Sequence, residues 1–193
     1  MEYYLNTPFR EDIRKLKTGD IVYLSGTVIT ARDKAHMKAI NSAEKLDFLS
    51  NSAIYHCGPI MRKNGEWEVV VAGPTTSSRM EAFEHEFIKK FGVRMVIGKG
   101  GMGNKTAEAC REHGAVYCTF TGGAAVLAAR AIKSVRDVIW LDELGTTEAM
   151  WVFEVEKFGP LVVAIDSHGN NLTEEIKKRA EEKLKDMEFQ NIY

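Results

Sequence analysis

The 193-residue chain carries 26 basic and 27 acidic side chains, a net charge of −1, with 45% hydrophobic residues and only 4 prolines. Such a composition can bury a core and excludes the disordered and collagen-like classes, while the lack of a basic excess argues against nucleic-acid binding by bulk electrostatics. No apolar run approaches the ~20 residues that span a bilayer, and Met1-Glu2-Tyr3-Tyr4 does not open a basic-then-apolar leader, so the expectation is a cytoplasmic protein with neither a membrane nor a nucleic-acid partner.

Phe9, Ile13 and Leu16 recur at helical spacing and predict a short amphipathic helix before Thr18-Gly19-Asp20. The β-branched run over residues 21–30 reads as a strand interrupted by Gly26. A helix is expected over 33–46, with Ala35, Ala39, Ile40 and Ala43 on one side. Residues 53–56 and 67–71 read as two strands, with Lys63-Asn64-Gly65 turning between them. Helix 80–91, strand 93–97, helix 105–113 and strand 115–120 then alternate. A small-residue helix over 122–132 precedes strand-like segments at 135–141, 151–155 and 161–165, and a charged amphipathic helix over 174–187 closes the chain. Helices alternating with apolar strands predict an α/β architecture with some parallel pairing, and neighbouring strands toward both ends predict a mixed sheet. With no Pro-, Gly- or Ser-rich linker and no repeat, residues 1–193 are read as one domain.

Three strand-to-helix junctions carry the chemistry. Gly98-Lys99-Gly100-Gly101-Met102-Gly103 matches GxGxxG, but a dinucleotide site also needs a carboxylate about 20 positions on, and Val116 to Thr121 contains none. No Gly-Lys-Ser/Thr ends the turn, so it is not a P-loop. What remains is an anion site made by the backbone of Gly98, Gly100 and Gly101 with Lys99 beside a helix N-terminus; the alternative is a tight turn with an incidental surface lysine. In Gly73-Pro74-Thr75-Thr76-Ser77-Ser78-Arg79-Met80, Ser78 has capping-box spacing to Glu81 and Thr76 is a second candidate cap. Arg79 in a first helical turn opposes the helix dipole, which makes sense beside a bound anion, and a guanidinium offers a carboxylate two parallel N–H donors. In Thr30-Ala31-Arg32-Asp33-Lys34-Ala35-His36, Arg32 suits an acid group and Asp33 suits a helix cap. His36 is read as a helix-surface residue, with proton transfer at the same mouth as the alternative. Arg32, Arg79 and Lys99 beyond the carboxyl ends of strands suit a dianionic substrate such as a dicarboxylic acid. Cys57, Cys110 and Cys118 are scattered, without a CxxC pair, and read as core. Neither a disulfide framework nor a zinc or iron–sulfur site follows from this chain alone.

Ser25-Gly26-Thr27 with Thr30 to His36, Tyr55-His56-Cys57-Gly58-Pro59, Ala72 to Met80, Gly98 to Gly103 and Glu143 to Trp151 occur in this order. Together they resemble the β subunit, or C-terminal domain, of class I iron–sulfur-dependent fumarate hydratases and the related L-tartrate dehydratase β subunit. The resemblance covers nearly the whole chain. It implies a swivelling β/β/α domain, a mixed sheet flanked by helices, that works with a separate α subunit carrying a [4Fe–4S] cluster; this chain would bind no cluster alone. It implies a hydro-lyase that reversibly hydrates fumarate to (S)-malate, with tartrate dehydration to oxaloacetate, or a non-catalytic organic-acid-binding module, as alternatives. Arg32, Arg79 and Lys99 would bind substrate carboxylates, with Thr75 and Thr76 beside the reacting carbon. Thr75 is the candidate for proton transfer and His36 its rival. The family further suggests an α2β2 assembly.

Overall fold

The structure, a computed structural model, describes residues 1–123 and 125–190. Strand β2 (Ile21–Thr30) is its organising element. Its first half pairs in parallel with β1 (Glu2–Thr7), and its last residues pair in parallel with β3 (Ala53–Tyr55). Parallel pairing continues through β6 (Met95–Gly98) and β7 (Val116–Thr119). The long β9 (Met150–Ile165) runs antiparallel to β7 and returns to pair with β2, so β2-β3-β6-β7-β9 closes into a ring. Strand β8 (Ile132–Ile139) adds to β9 on the outside, and β4 (Ile60–Asn64) with β5 (Glu66–Val71) forms a separate hairpin. The result is the α/β class with a mixed sheet that the sequence predicts.

Alternation along the central strands explains why both of their faces are apolar. Ala53 and Tyr55 of β3, Met95 and Ile97 of β6, and Val116 and Cys118 of β7 point into one core with Leu24, Phe153 and Phe158. Ile54, Val96 and Tyr117, one residue out of phase, point into a second core. That second core is covered by helices α1 (Asp33–Asn41), α2 (Glu84–Phe91) and α3 (Asn104–His113), which contribute Ala35, Ala39, Phe87, Ile88 and Cys110. Among the described residues, three more helices follow: α4 (Ala125–Ala131), α5 (Leu141–Leu144) and α6 (Leu172–Gln190). No helix among the described residues is long and apolar enough to cross a membrane.

Several elements differ from their sequence expectation, each for a local reason. Phe9, Ile13 and Leu16 are buried as expected, but only Ile13–Lys15 turns, as a single 3-10 helix; so short a segment cannot nucleate a helix by itself. The α1 helix stops at Asn41 because the Lys90 ammonium binds the carbonyls of Ala39, Ile40 and Ser42, filling its C-terminal acceptors. The Lys63-Asn64-Gly65 turn joins β4 to β5, whereas residues 53–55 pair inside the ring. Residues 151–155 and 161–165 are the two ends of one strand, β9. The helix expected over 122–132 is confined to Ala125–Ala131, and Ala124 lies outside the described residues.

The β1–β2 contact depends on Gly26. Its φ is +99°, and a Cβ built there would lie 2.2 Å from the Thr7 carbonyl oxygen. Gly26→Ala is therefore expected to cost about 3 kcal/mol, from strain and overpacking together. Urea unfolding checks this, and a wild-type midpoint would disprove the close-approach argument.

Candidate active site

Two of the three junctions singled out in the sequence are stitched together by main-chain bonds. The His56 carbonyl at the end of β3 accepts the Thr75 N–H at 2.7 Å, the Thr75 carbonyl accepts the Lys99 N–H at 3.1 Å, and the Lys99 carbonyl accepts the Ser77 N–H at 3.0 Å. The His56 N–H in turn donates to Ile97 of β6 at 2.7 Å. The third junction joins through side chains: Arg79 donates to Asp33, next to Arg32, at 2.5 Å. Arg32 lies on the Cys57-Gly58 turn, where a Cβ on Gly58 would meet its guanidinium at 2.4 Å. The stem of Lys99 runs over Gly122, whose Cβ would sit 3.0 Å from Lys99 Cδ. Thr75 is half-buried, while Thr76, Arg79, Lys99 and Gly100 are exposed.

Carboxylates of the chain already attend two of the cations. Arg32 Nε is 3.4 Å from Glu148, and Asp33 holds Arg79, whereas Lys99 has no ion-pair partner among the described residues. The helix caps differ from the local sequence rules. Asp33 does not cap α1; the Glu148 carboxylate accepts the Lys34 N–H there instead. Residues 77–79 form a separate 3-10 turn and α2 begins only at Glu84. Arg79 is thus outside the helix and does not oppose its dipole; its nearby anion is Asp33. Glu81 forms no capping box with Ser78. It reaches across to the N-terminus of α3, where its oxygens accept the N–H groups of Gly103, Lys105 and Thr106 and the Thr106 hydroxyl. The glycine turn therefore meets a helix end already occupied by an internal carboxylate. Within that turn, Gly98 packs under Ser77, Gly101 packs against Thr173, and the Gly100 carbonyl accepts the Tyr117 hydroxyl.

Beneath the mouth lies a group the sequence reading missed. His36, His56 and Glu84 are each 0% exposed. Glu84 Oε2 is 2.9 Å from His56 Nε2 and 3.3 Å from His36 Nε2. His56 Nδ1 meets the Ser77 hydroxyl at 2.9 Å, and His36 Nδ1 meets the Arg32 carbonyl at 2.9 Å. The reading of His36 as a helix-surface residue is corrected: its ring packs on Phe83, Phe87 and His56 rather than facing the mouth. A signal existed, since Glu84 interrupts an apolar stripe formed by Met80, Phe87 and Ile88. The three donor atoms lie within 4.8 Å of one another, but the 2.9 Å separation is that of an N–H···O bond and needs no cation to explain it.

Burial alone would push the Glu84 carboxyl up, but His36 and His56 overcome it and hold Glu84 well below the usual carboxylate range. Burial would lower His36, yet the Glu84 charge prevails and raises it; for His56 burial wins and the ring is held below its ordinary value. The signs define a pH profile. Glu84 contributes stability that is present above 4.5 and lost as pH falls through its folded value, and the contribution of His56, complete above 6.5, is lost in the same direction. The contribution of His36 is complete below 6.5 and lost as pH rises through its raised value. The melting temperature is expected to peak near pH 6.5 and to fall on both sides, most steeply below 4.5. Thermal melts of the wild type and Glu84→Gln test this: an acid limb identical in both would mean the cluster does not set it.

Cys57, Cys110 and Cys118 are all buried, and burial pushes each thiol up, away from the thiolate that cluster ligation needs. Cys57 and Cys118 belong to one core and Cys110 to the other. These residues do not fit an iron–sulfur cluster.

The mixed α/β ring thus carries Arg32, Arg79 and Lys99 on turns that are bonded to one another. The sequence model described as Fumarase C-terminus matches residues 2–176, and the chain belongs to that family. It is 50% identical over 192 residues to the "Putative L(+)-tartrate dehydratase subunit beta" of Methanocaldococcus jannaschii, covering 97% of this chain and 98% of that one. It is 49% identical over 181 residues to the L(+)-tartrate dehydratase subunit beta of Escherichia coli strain K12, covering 92% and 90%. A "Putative fumarate hydratase class I" of Geobacillus stearothermophilus is 49% identical over 183 residues, which span 93% of this chain but 35% of that longer protein.

Proposed function

We propose that this chain is the β subunit of a two-subunit hydro-lyase that reversibly hydrates fumarate to (S)-malate at a site shared with an α subunit. The observation that supports this reading is the bonding of the Arg32, Thr75–Arg79 and Gly98–Gly101 turns to one another. Arg32, Arg79 and Lys99 bind the two substrate carboxylates and the extra negative charge that develops as the carbon acid ionises. The guanidinium of Arg79 keeps free donors beyond the one given to Asp33, so it can hold a ligand while its own position is fixed. Thr75 and Thr76 flank the reacting carbon. In the dehydrating direction the Thr75 hydroxyl gives its own proton to a carboxylate of the α subunit as it takes the proton from carbon, hydroxide leaves the neighbouring carbon, and that hydroxide with the released proton makes one water. A threonine hydroxyl is a weak base, so an acidic residue of the α subunit assists it. The burial of His36 supports Thr75 over His36 for this step. Since the cysteines of this chain do not suit a cluster, the [4Fe–4S] group belongs in this reading to the α subunit.

One observation favours a second substrate, L-tartrate dehydrated to oxaloacetate: the identity to the Escherichia coli subunit runs along almost the whole of both chains. The residues named here handle the two carboxylates that both diacids share, and the α subunit can read the extra hydroxyl. The test is co-purification with the α subunit and anaerobic assay on fumarate, (S)-malate and L-tartrate. Turnover of one diacid pair with the isolated chain inactive is expected. A complex that binds a diacid and turns over none would make the chain a binding module.

A further inference from the structure

We propose that Glu84 is a positioning residue: its buried carboxylate, acting through His56 and His36, sets the placement of the Thr75–Ser77 turn relative to Arg32. The inference rests on the reading of those turns as a diacid site.

The pH-dependent stability of Glu84 is measured against its own protonated form and does not explain why a carboxyl, rather than an apolar side chain, stands there. Glu84 stands in an apolar helix stripe at 0% exposure, and its Oε1 has no hydrogen-bond partner among the described residues. Burying a charge costs several kcal/mol, and an apolar side chain of similar volume often serves a core as well or better. What the carboxylate does supply is orientation of two rings. His56 Nε2–H donates to Glu84 Oε2 at 2.9 Å, which leaves Nδ1 unprotonated and able to accept the Ser77 hydroxyl at 2.9 Å. His56 thus grips the turn twice, since its own carbonyl accepts the Thr75 N–H. On the other side, the Arg32 carbonyl can only accept, so His36 Nδ1 must carry the proton of that 2.9 Å bond. The Nε2 of His36 faces the same Glu84 oxygen at 3.3 Å and needs a second proton to be attracted to it. One negative charge therefore holds an imidazolium on the Arg32 side and fixes a neutral tautomer on the Thr75 side. This is how outer-shell carboxylates orient metal-bound histidines, applied here to substrate-binding turns.

The test uses the complex with the α subunit. Glu84→Gln keeps the volume and removes the charge, which releases the His36 hold. It is expected to lower kcat about 10²-fold, the usual scale for lost outer-shell orientation or ~1 Å misplacement, with KM changed far less. Amide hydrogen exchange of Thr75, Ser77 and Lys99 is expected to quicken at least about tenfold while the β6 and β7 amides keep wild-type rates. Should Glu84→Gln fail to fold, Ser77→Ala carries the same test without stranding a charge, since it cuts the side-chain link between His56 and the turn and leaves the main-chain one. It is expected to reduce kcat about tenfold, and the double variant to lose little more than Glu84→Gln alone. Exchange that quickens uniformly through the core, or that is unchanged at Thr75 and Lys99 in both variants, overturns the positioning role. A wild-type complex that turns over none of the three diacids overturns the functional reading instead, and the exchange measurement still decides the role of Glu84.

Discussion

Lys99→Ala in the assembled complex is expected to lower kcat/KM by roughly 10²- to 10³-fold, the scale of one lost charge-stabilising donor, and to leave the melting temperature unchanged. The two expectations separate because the residue works through different atoms. Its N–H and carbonyl tie the Thr75–Ser77 turn to the end of β6, and alanine keeps both. Its ammonium is exposed and has no ion-pair partner among the described residues, so its removal strands no buried charge. Arg79→Ala should cost a similar factor in turnover, with a small loss of stability from releasing Asp33 at a half-exposed pair. Near-normal kcat/KM in either variant would remove that side chain from the site.

Gly98→Ala is expected to do the reverse, damaging the fold first and activity as a consequence. A Cβ there would lie 1.7 Å from Ser77 Oγ and 3.1 Å from His56 Nδ1, inside a fully buried junction. Relief requires Ser77 to leave His56 and the turn to lift from β6. The cost is expected at about 3 kcal/mol, the upper range of overpacking, read as a lowered urea midpoint. In addition, kcat should fall in the fraction that remains folded. Wild-type stability would mean that Gly98 is conserving space for something other than this junction.

These two residues also show what local sequence can and cannot reveal. The β6–α3–β7 unit was legible because both faces of its strands are buried, giving continuous apolar runs with a glycine turn between strand and helix. Strand β4 was not, because its Ile60-Met61-Arg62-Lys63-Asn64 run is mostly exposed and carries no alternation. Caps failed for a different reason. Local rules assign Asp33 and Glu81 to the helices beside them, but the carboxylate that caps α1 comes from Glu148, 114 residues away, and Glu81 caps a helix 22 residues on. Arg79 and Asp33 meet across 46 residues. Partnerships of that range leave no spacing signal. The turns that carry Arg32, Arg79 and Lys99 were readable from residue type, whereas the buried His–Glu–His group showed only as a polar interruption in two helix stripes.

Where a diacid binds decides whether Arg32, Arg79 and Lys99 form one site. A crystal structure of the complex soaked with an unreactive saturated four-carbon diacid is the decisive measurement. Its two carboxylates are expected within hydrogen-bond distance, ~3 Å, of nitrogens from Arg32, Arg79 and Lys99, with the Thr75 hydroxyl beside a central carbon. A diacid seated elsewhere in the complex, with those three side chains turned to solvent, would contradict the shared site.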